Sequence, residues 1–517
     1  MSNVIIIGAG HNGLVAAFYL AKRGLKPLVL ETRDEVGGGA ITGEIHRGFV
    51  GPTLSHECRL HQDIVRDMQL ERHGLELLRA DAHVCALSVD GPPLVLNHTV
   101  RTSDGVRGAS AKDTDAYLAF RAAMTRMASV LAPLFAAAPP DIDAPAAGDA
   151  WNLLKAGKRF RDLGKRDEYR LLRCLTMPVA DLAREWFDTE LLRATIAAPA
   201  LSGTMLGPRS AGSAMQLLLR DAHEQLAGGP MQVRGGPGAL TRALAAAARA
   251  AGAEIRTSAS VERILVTNER ATGVVAGGQQ IPARAVVSAV DPKTTFLSLI
   301  DAADLTPDFA LKMRNYRAAG TVAKVNLALS SLPAFGVTDD ALSGRIHVGP
   351  ELDYLERAFD HAKYGELSAE PWLEVTIPSI LQPDLAPAGA HVASIYVHYA
   401  PHRLRGTDWN HLRGALLDRT LNVLERHAPG LRSQVVGAQV ITPEALERDY
   451  GFWGGQIFHG EPALDQLFTM RPLLGYARYR GPIAGLYLCG AGTHPGALMS
   501  GASGRLAAQQ VLATGDF

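Results

Sequence analysis

The chain is predicted to be an α/β protein of two domains, and three features of the sequence predict it. A β-branched run, Val4-Ile5-Ile6-Ile7, passes directly into Gly8-Ala9-Gly10-His11-Asn12-Gly13. The stretch from Gly235 to Ala289 returns to α/β character, with a helix over Leu240–Ala251 ended by Gly252 and strands at Glu254–Arg256 and Ala285–Ala289. Thr321–Leu329, Trp372–Ile377 and His391–Tyr399 alternate as antiparallel strands do, around a helix at Trp409–His427. The 517 residues exceed the roughly 250–300 that one apolar core accommodates, hence the second domain.

In the first unit, Val4–Ile7 has the pattern of a buried parallel strand. Gly8 permits the tight turn after it, Gly10 lets backbone approach a pyrophosphate, and Gly13 allows the following helix to pack against the strand. Leu14, Ala17, Phe18 and Ala21 recur at helical spacing, Lys22 and Arg23 sit at the negative end of the helix dipole, and Gly24 ends the helix. A second strand, Pro27–Leu30, leads to Glu31, placed to accept a hydrogen bond from a ribose 2′-hydroxyl and to repel a 2′-phosphate. These residues indicate a dinucleotide and leave NAD and FAD equally open; a strand-to-helix turn without a ligand uses the same glycines.

Two further segments favour FAD. Gly37-Gly38-Gly39 falls where the next loop passes the cofactor, and its N–H groups can form an anion-binding nest; a surface turn is the other reading. At the far end, Gly485–Gly490 reads as a strand, Ala491–Ser500 as a loop, and about Ala502 to Leu512 as a helix. Aimed at a flavin's pyrimidine edge, that helix N-terminus would stabilise negative charge on the reduced ring; a strand and helix that merely complete a sheet give the same pattern.

From Asp113 to Ala227 the pattern is mainly helical, punctuated at Pro133, Pro139–Pro145, Pro178, Pro199 and Pro208. Within it, Lys155, Lys158, Arg159, Arg161, Lys165, Arg166, Arg170 and Arg173 interleave with apolar residues. Such a segment serves either as a solvated helix face, partly paired with acids elsewhere, or as a peripheral contact with anionic lipid.

Bulk properties exclude several classes. Lys plus Arg (52) equal Asp plus Glu (52), so no net field draws a nucleic acid. Four scattered cysteines without Cys-x-x-Cys, and no basic, apolar leader, fit free thiols in the cytoplasm. The apolar stretch Ala128–Pro140 is interrupted by prolines and shorter than the roughly 20 residues a membrane span needs. His56-Glu57-Cys58-Arg59-Leu60-His61 resembles a zinc motif, but its histidines would diverge by about 140° on a helix of 3.6 residues per turn. His398 and His402 flank Pro401, so no metal is expected. Nucleophile-elbow and P-loop motifs are absent.

Taken together, Val4–Gly13, Glu31–Gly39 and Leu486–Gly496 resemble the phytoene desaturase and carotenoid isomerase group of FAD-dependent oxidoreductases, nearest the branch named for a pyridine nucleotide-disulphide oxidoreductase domain. Leu206–Gly212, Val233–Leu240, Ala323–Leu329, Ile457–Glu461 and Asp465–Phe468 extend the resemblance almost end to end. It implies a Rossmann-like FAD-binding domain built from residues 1–100, 230–300 and 472–517, with an inserted α+β substrate domain, helical portion and antiparallel sheet, from 101–229 and 301–471. It also implies that Val261 meets the adenine and that Gly490, Ala491, Gly501 and Ala502 line the flavin. Two departures bear on the flavin's surroundings: Gly39-Ala40 stands where amine-oxidase relatives carry an arginine, and Ala497–Ser500 replaces a glycine-rich tail.

Disulfide reduction is excluded because no two cysteines are closely spaced. No second dinucleotide fold for a nicotinamide follows, which leaves oxygen or a quinone as acceptor. The expected chemistry is hydride transfer between an apolar, isoprenoid or polyene, substrate and flavin; polyene isomerisation or saturation, and a flavin-bearing interaction protein, are the alternatives. His459 and His494 are the side chains placed nearest the flavin by the resemblance, with structural roles open to both; no catalytic side chain is assigned.

Overall fold

A computed structural model describes residues 4–55, 58–80, 82–97, 105–145, 147–496, 498–515 and 517. Five parallel strands form one sheet in the spatial order Glu254–Arg256, Pro27–Leu30, Val4–Ile7, Ala285–Ser288, Leu486–Leu488. The uninterrupted β-branched run at Val4–Ile7 follows from its central place, with both faces covered. Val4 and Ile6 pack among residues of the helices His11–Ala21, Pro237–Ala250 and Ala502–Thr514. Ile5 and Ile7 pack on the opposite face, against a three-stranded antiparallel sheet over Val261–Thr267, Arg270–Ala276 and Gln279–Pro282. The separated segments implied by the resemblance therefore share one sheet. The helix expected from Leu240 starts earlier, with Pro237 in its first turn, where proline's fixed φ suits a helix and its missing N–H costs nothing.

The second sheet has eight strands, in the order Val435–Ile441, Val322–Leu329, His391–His398, Leu373–Thr376, Arg345–Val348, Ala82–Ala86, Leu94–Asn97, Val106–Arg107. The three expected alternating strands are present within a residue or so, and the expected helix occupies Trp409–His427. One assignment is corrected. Strands Ala82–Asn97, expected with the cofactor domain through residue 100, belong to this sheet, where Ala82–Ala86 pairs in parallel with Arg345–Val348. The first cofactor segment thus ends before Ala82.

Six helices fill the region expected to be helical: Ala111–Phe135, Ala147–Asp162, Lys165–Cys174, Val179–Trp186, Glu190–Leu201 and Ser213–Ala227. Pro133 does not end the first; it lies inside that helix's last turn, so the helix is longer than the stretch read from Ala128. By length and apolarity alone it could cross a membrane. In the fold it packs Tyr117, Phe120, Met124 and Met127 into the helical core, and Arg121 and Arg126 pair with Asp221 and Asp167. His56 and Glu57 of the zinc-like motif lie outside the described residues.

Candidate active site

A cavity of about 510 Å³ lies at the carboxyl ends of the parallel strands, where open α/β sheets bind ligands, and reaches across to the eight-stranded sheet. Ile7, Leu30 and Ala289 bring the strand ends to one wall; Val322, Lys324, Glu374 and Tyr396 form the opposite one.

The glycine loop is shaped for a close approach. Gly8 has φ +94° and donates its N–H to the Leu30 carbonyl at 2.8 Å, tying the turn to the neighbouring strand. A Cβ on Gly13 would sit 2.2 Å from the Gly8 carbonyl oxygen, so helix and loop touch only because no side chain intervenes. At Gly10 a Cβ would meet nothing nearer than the Gly38 Cα at 3.9 Å; the space in front of it belongs to the cavity. Glu31 accepts from the Ala9 N–H at 2.7 Å and the Arg33 N–H at 3.1 Å, which fixes the carboxylate at the cavity wall with lone pairs to spare for a ribose. The first helix begins at His11, presenting its N-terminus to the same space, and the buried Asn12 Oδ1 has no hydrogen-bond partner. These features fit a dinucleotide pyrophosphate at the loop.

Of the expected contact residues, Gly8, Gly10, Gly13, Glu31, Gly38, Gly39, Val261 and Ala491 line this cavity. Gly37, Gly490, Gly501 and Ala502 do not, and packing explains each. The Gly37 N–H is spent on the Ala9 carbonyl at 3.0 Å, so the triple glycine is not an open nest throughout. A Cβ on Gly490 would lie 2.7 Å from the Ala289 carbonyl oxygen, and one on Gly501 would lie 2.8 Å from the Leu60 side chain. Ala502 is buried at the start of the last helix, its N–H donating to Ser500 Oγ. Gly496, Leu498 and Met499 line the cavity instead, from the loop that precedes the helix. Ala497 lies outside the described residues.

His459 and His494 separate in the same way. His459 lines the cavity, half-buried, with Nδ1 unpartnered; burial, then the nearby His11 and Arg471, lower its pKa to about 3, so it is neutral. His494 stands behind the wall, stacked on Phe135 and donating Nε2–H to the Leu134 carbonyl at 3.0 Å, which is a structural role.

Three buried side chains at or beside the cavity were not singled out in the sequence. Lys324, on strand Val322–Leu329, donates to Ser394 Oγ at 2.7 Å and sits 4.2 Å from the centre of the Tyr396 ring. Burial drives its pKa well below the usual lysine value against the opposing pull of Glu374, so the cavity is faced by an amine disposed to be neutral. Arg471 is fully buried and donates to the carbonyls of Phe458 (2.8 Å) and Ala491 (2.9 Å), holding two cavity-wall segments together. Asp291, in the loop after Ala285–Ser288, accepts from the Lys293 N–H at 2.7 Å with Oδ1, while Oδ2 has no partner.

Burial raises the Asp291 pKa from 3.8 to about 7. The folded chain then keeps a proton that the unfolded chain releases, so this group's contribution to stability is complete below about pH 3.8 and is lost as pH rises to about 7. Asp291→Asn is expected to melt increasingly above wild type across that window, with the margin constant at higher pH. A margin that does not change with pH would contradict this.

The FAD dependent oxidoreductase family model matches residues 3–510. The chain belongs to this family. Pyridine nucleotide-disulfide oxidoreductase domain-containing protein 2 of Rattus norvegicus is 36% identical, over 98% of this chain and 93% of that protein. The neurosporene-forming phytoene desaturase of Cereibacter sphaeroides is 27% identical, over 97% and 92%. A solved structure of putrescine oxidase bound to putrescine shares the fold, with a TM-score of 0.62 at 17% identity over 99% and 98% of the two chains. The protein is an FAD-dependent oxidoreductase of mixed α/β fold, and FAD is its cofactor. Disulfide chemistry finds no support in the thiols: all four are buried, and burial lifts Cys58 and Cys174 to about 11 and Cys85 to about 12.

Proposed function

We propose that the enzyme dehydrogenates an apolar substrate, isoprenoid or polyene in character, at a C–H bond held beside the flavin. The observation that carries this reading is the continuity of one cavity from the glycine loop to a wall that includes Leu54, Val322, Ile457, Phe458 and Met499. An apolar chain gains roughly 25 cal/mol per Å² on leaving water for such a wall.

FAD supplies a two-electron hydride acceptor. The chain does the rest. The apolar wall orients the substrate and excludes water. The Lys324 amine, whose charged form burial disfavours, accepts the proton from the carbon adjacent to the one that loses hydride, so that a C=C bond forms and no charge is left on the product. The electron acceptor proposed for a bound FAD is oxygen or a quinone. The isoprenoid character of the substrate is drawn from the phytoene desaturase relative.

Product mass separates desaturation from the alternatives. Incubation of the oxidised enzyme with an isoprenoid is expected to give a product lighter by two hydrogens, in amounts that follow acceptor consumption. A product of unchanged mass formed only after prior reduction of the flavin would assign isomerisation instead, and a product heavier by two hydrogens would assign saturation.

A further inference from the structure

We infer that the outward face of helices Ala147–Asp162 and Lys165–Cys174 docks on an anionic phospholipid bilayer, from which the substrate is drawn. The substrate clause rests on the function proposed above; the docking does not.

The first of these helices buries none of its residues. Trp151 and Leu154 are 59% and 66% exposed, and Lys158 and Arg161 continue the same stripe at helical spacing. The second helix turns Asp167, Leu171 and Cys174 inward and leaves Tyr169 (66%) and Leu172 (50%) exposed beside Lys165 and Arg166. A solvated helix face gains nothing from an exposed tryptophan, tyrosine and leucines, whereas an interfacial helix needs both these and the cations. Two acids of these helices are paired, Asp149 with Arg478 at 2.8 Å and Asp167 with Arg126 and Arg170, which leaves Asp162 and Glu168 against the eight basic residues from Lys155 to Arg173. The outward charge is therefore mainly positive, which selects an anionic surface.

The position of the patch adds a second argument. Beneath the first helix lies a hollow of about 210 Å³, walled by Leu134, Leu153 and Phe468 and by the polar Asp149, Lys155 and Arg159. The Phe468 ring packs edge-on against His494 at 5.3 Å, and Gly496, two residues along, lines the main cavity. The hollow thus lies between the exposed helix and the segment that leads to the cavity's end.

The test uses the full-length, FAD-loaded protein and sedimentation with phosphatidylcholine vesicles, with and without phosphatidylserine. Wild type is expected to bind the phosphatidylserine vesicles in a salt-sensitive manner. Lys158→Glu with Arg161→Glu should weaken that binding by about a hundredfold or more, since each basic residue near the surface is worth roughly fivefold and here each is reversed. Trp151→Ser with Leu154→Ser should weaken it as well while leaving the salt dependence in place. Unchanged flavin spectra and melting temperatures show that the variants are folded. Failure of wild type to bind either vesicle, binding indifferent to both pairs of substitutions, or a wild-type dimer that the same substitutions dissociate would overturn the inference. Flavin reduction by an isoprenoid in detergent solution reports separately on the proposed reaction.

Discussion

Gly10→Val is expected to give a folded protein that no longer holds FAD. Gly10 has φ −71° and ψ 171°, an extended conformation open to any residue, and an added Cβ meets no protein atom closer than 3.9 Å. The new side chain instead enters the space where a pyrophosphate must approach the loop. Overpacking of about 3 kcal/mol corresponds to a loss of affinity of about a hundredfold. The stability of the apoprotein should change by no more than about 1 kcal/mol, the scale of a poorer helix cap. Gly13→Val makes the contrast, because its Cβ would collide with the Gly8 carbonyl at 2.2 Å and damage the fold itself. FAD titration of the apoproteins, with urea melts alongside, distinguishes the two effects. Retention of wild-type affinity by Gly10→Val would contradict the assignment of this loop.

Lys324→Met should leave FAD bound and slow flavin reduction by substrate about a hundredfold or more, the usual scale for loss of a positioned base. Methionine fills the buried volume without an amine, and Ser394, the side chain's hydrogen-bond partner, stays on the neighbouring strand. Stopped-flow reduction under anaerobic conditions reads the effect directly. Unaltered reduction in a variant with full flavin content would remove Lys324 from the proton-transfer step and leave it a structural role.

Much of the cofactor unit was legible because its signals are local. The run Val4–Ile7, the glycines and Glu31 lie within one strand-helix-strand unit, and the residues that ought to turn, stop and pack there do so. Helix Trp409–His427 also falls where it was expected, and the structure shows Asp408 capping its first turn. What escaped depends on contacts between distant segments. Ala82–Asn97 joins the eight-stranded sheet only because Arg345–Val348 pairs beside it, and nothing near residue 82 announces that partner. Lys324 looks like the solvent-facing position of an alternating strand, yet both faces of that strand are covered. Gly501 and Ala502 were placed at the flavin through their helix, whereas the loop before the helix reaches the cavity. Local pattern specifies an element, and tertiary packing decides which of its atoms face a ligand.

The most direct test of the account is anaerobic titration of the FAD-loaded enzyme with an isoprenoid, followed through the absorbance of oxidised flavin. Bleaching in proportion to added substrate, with a desaturated product and recovery of the band on admitting oxygen or a quinone, is the predicted result. A flavin that isoprenoids leave oxidised while amines bleach it would contradict the proposed substrate class.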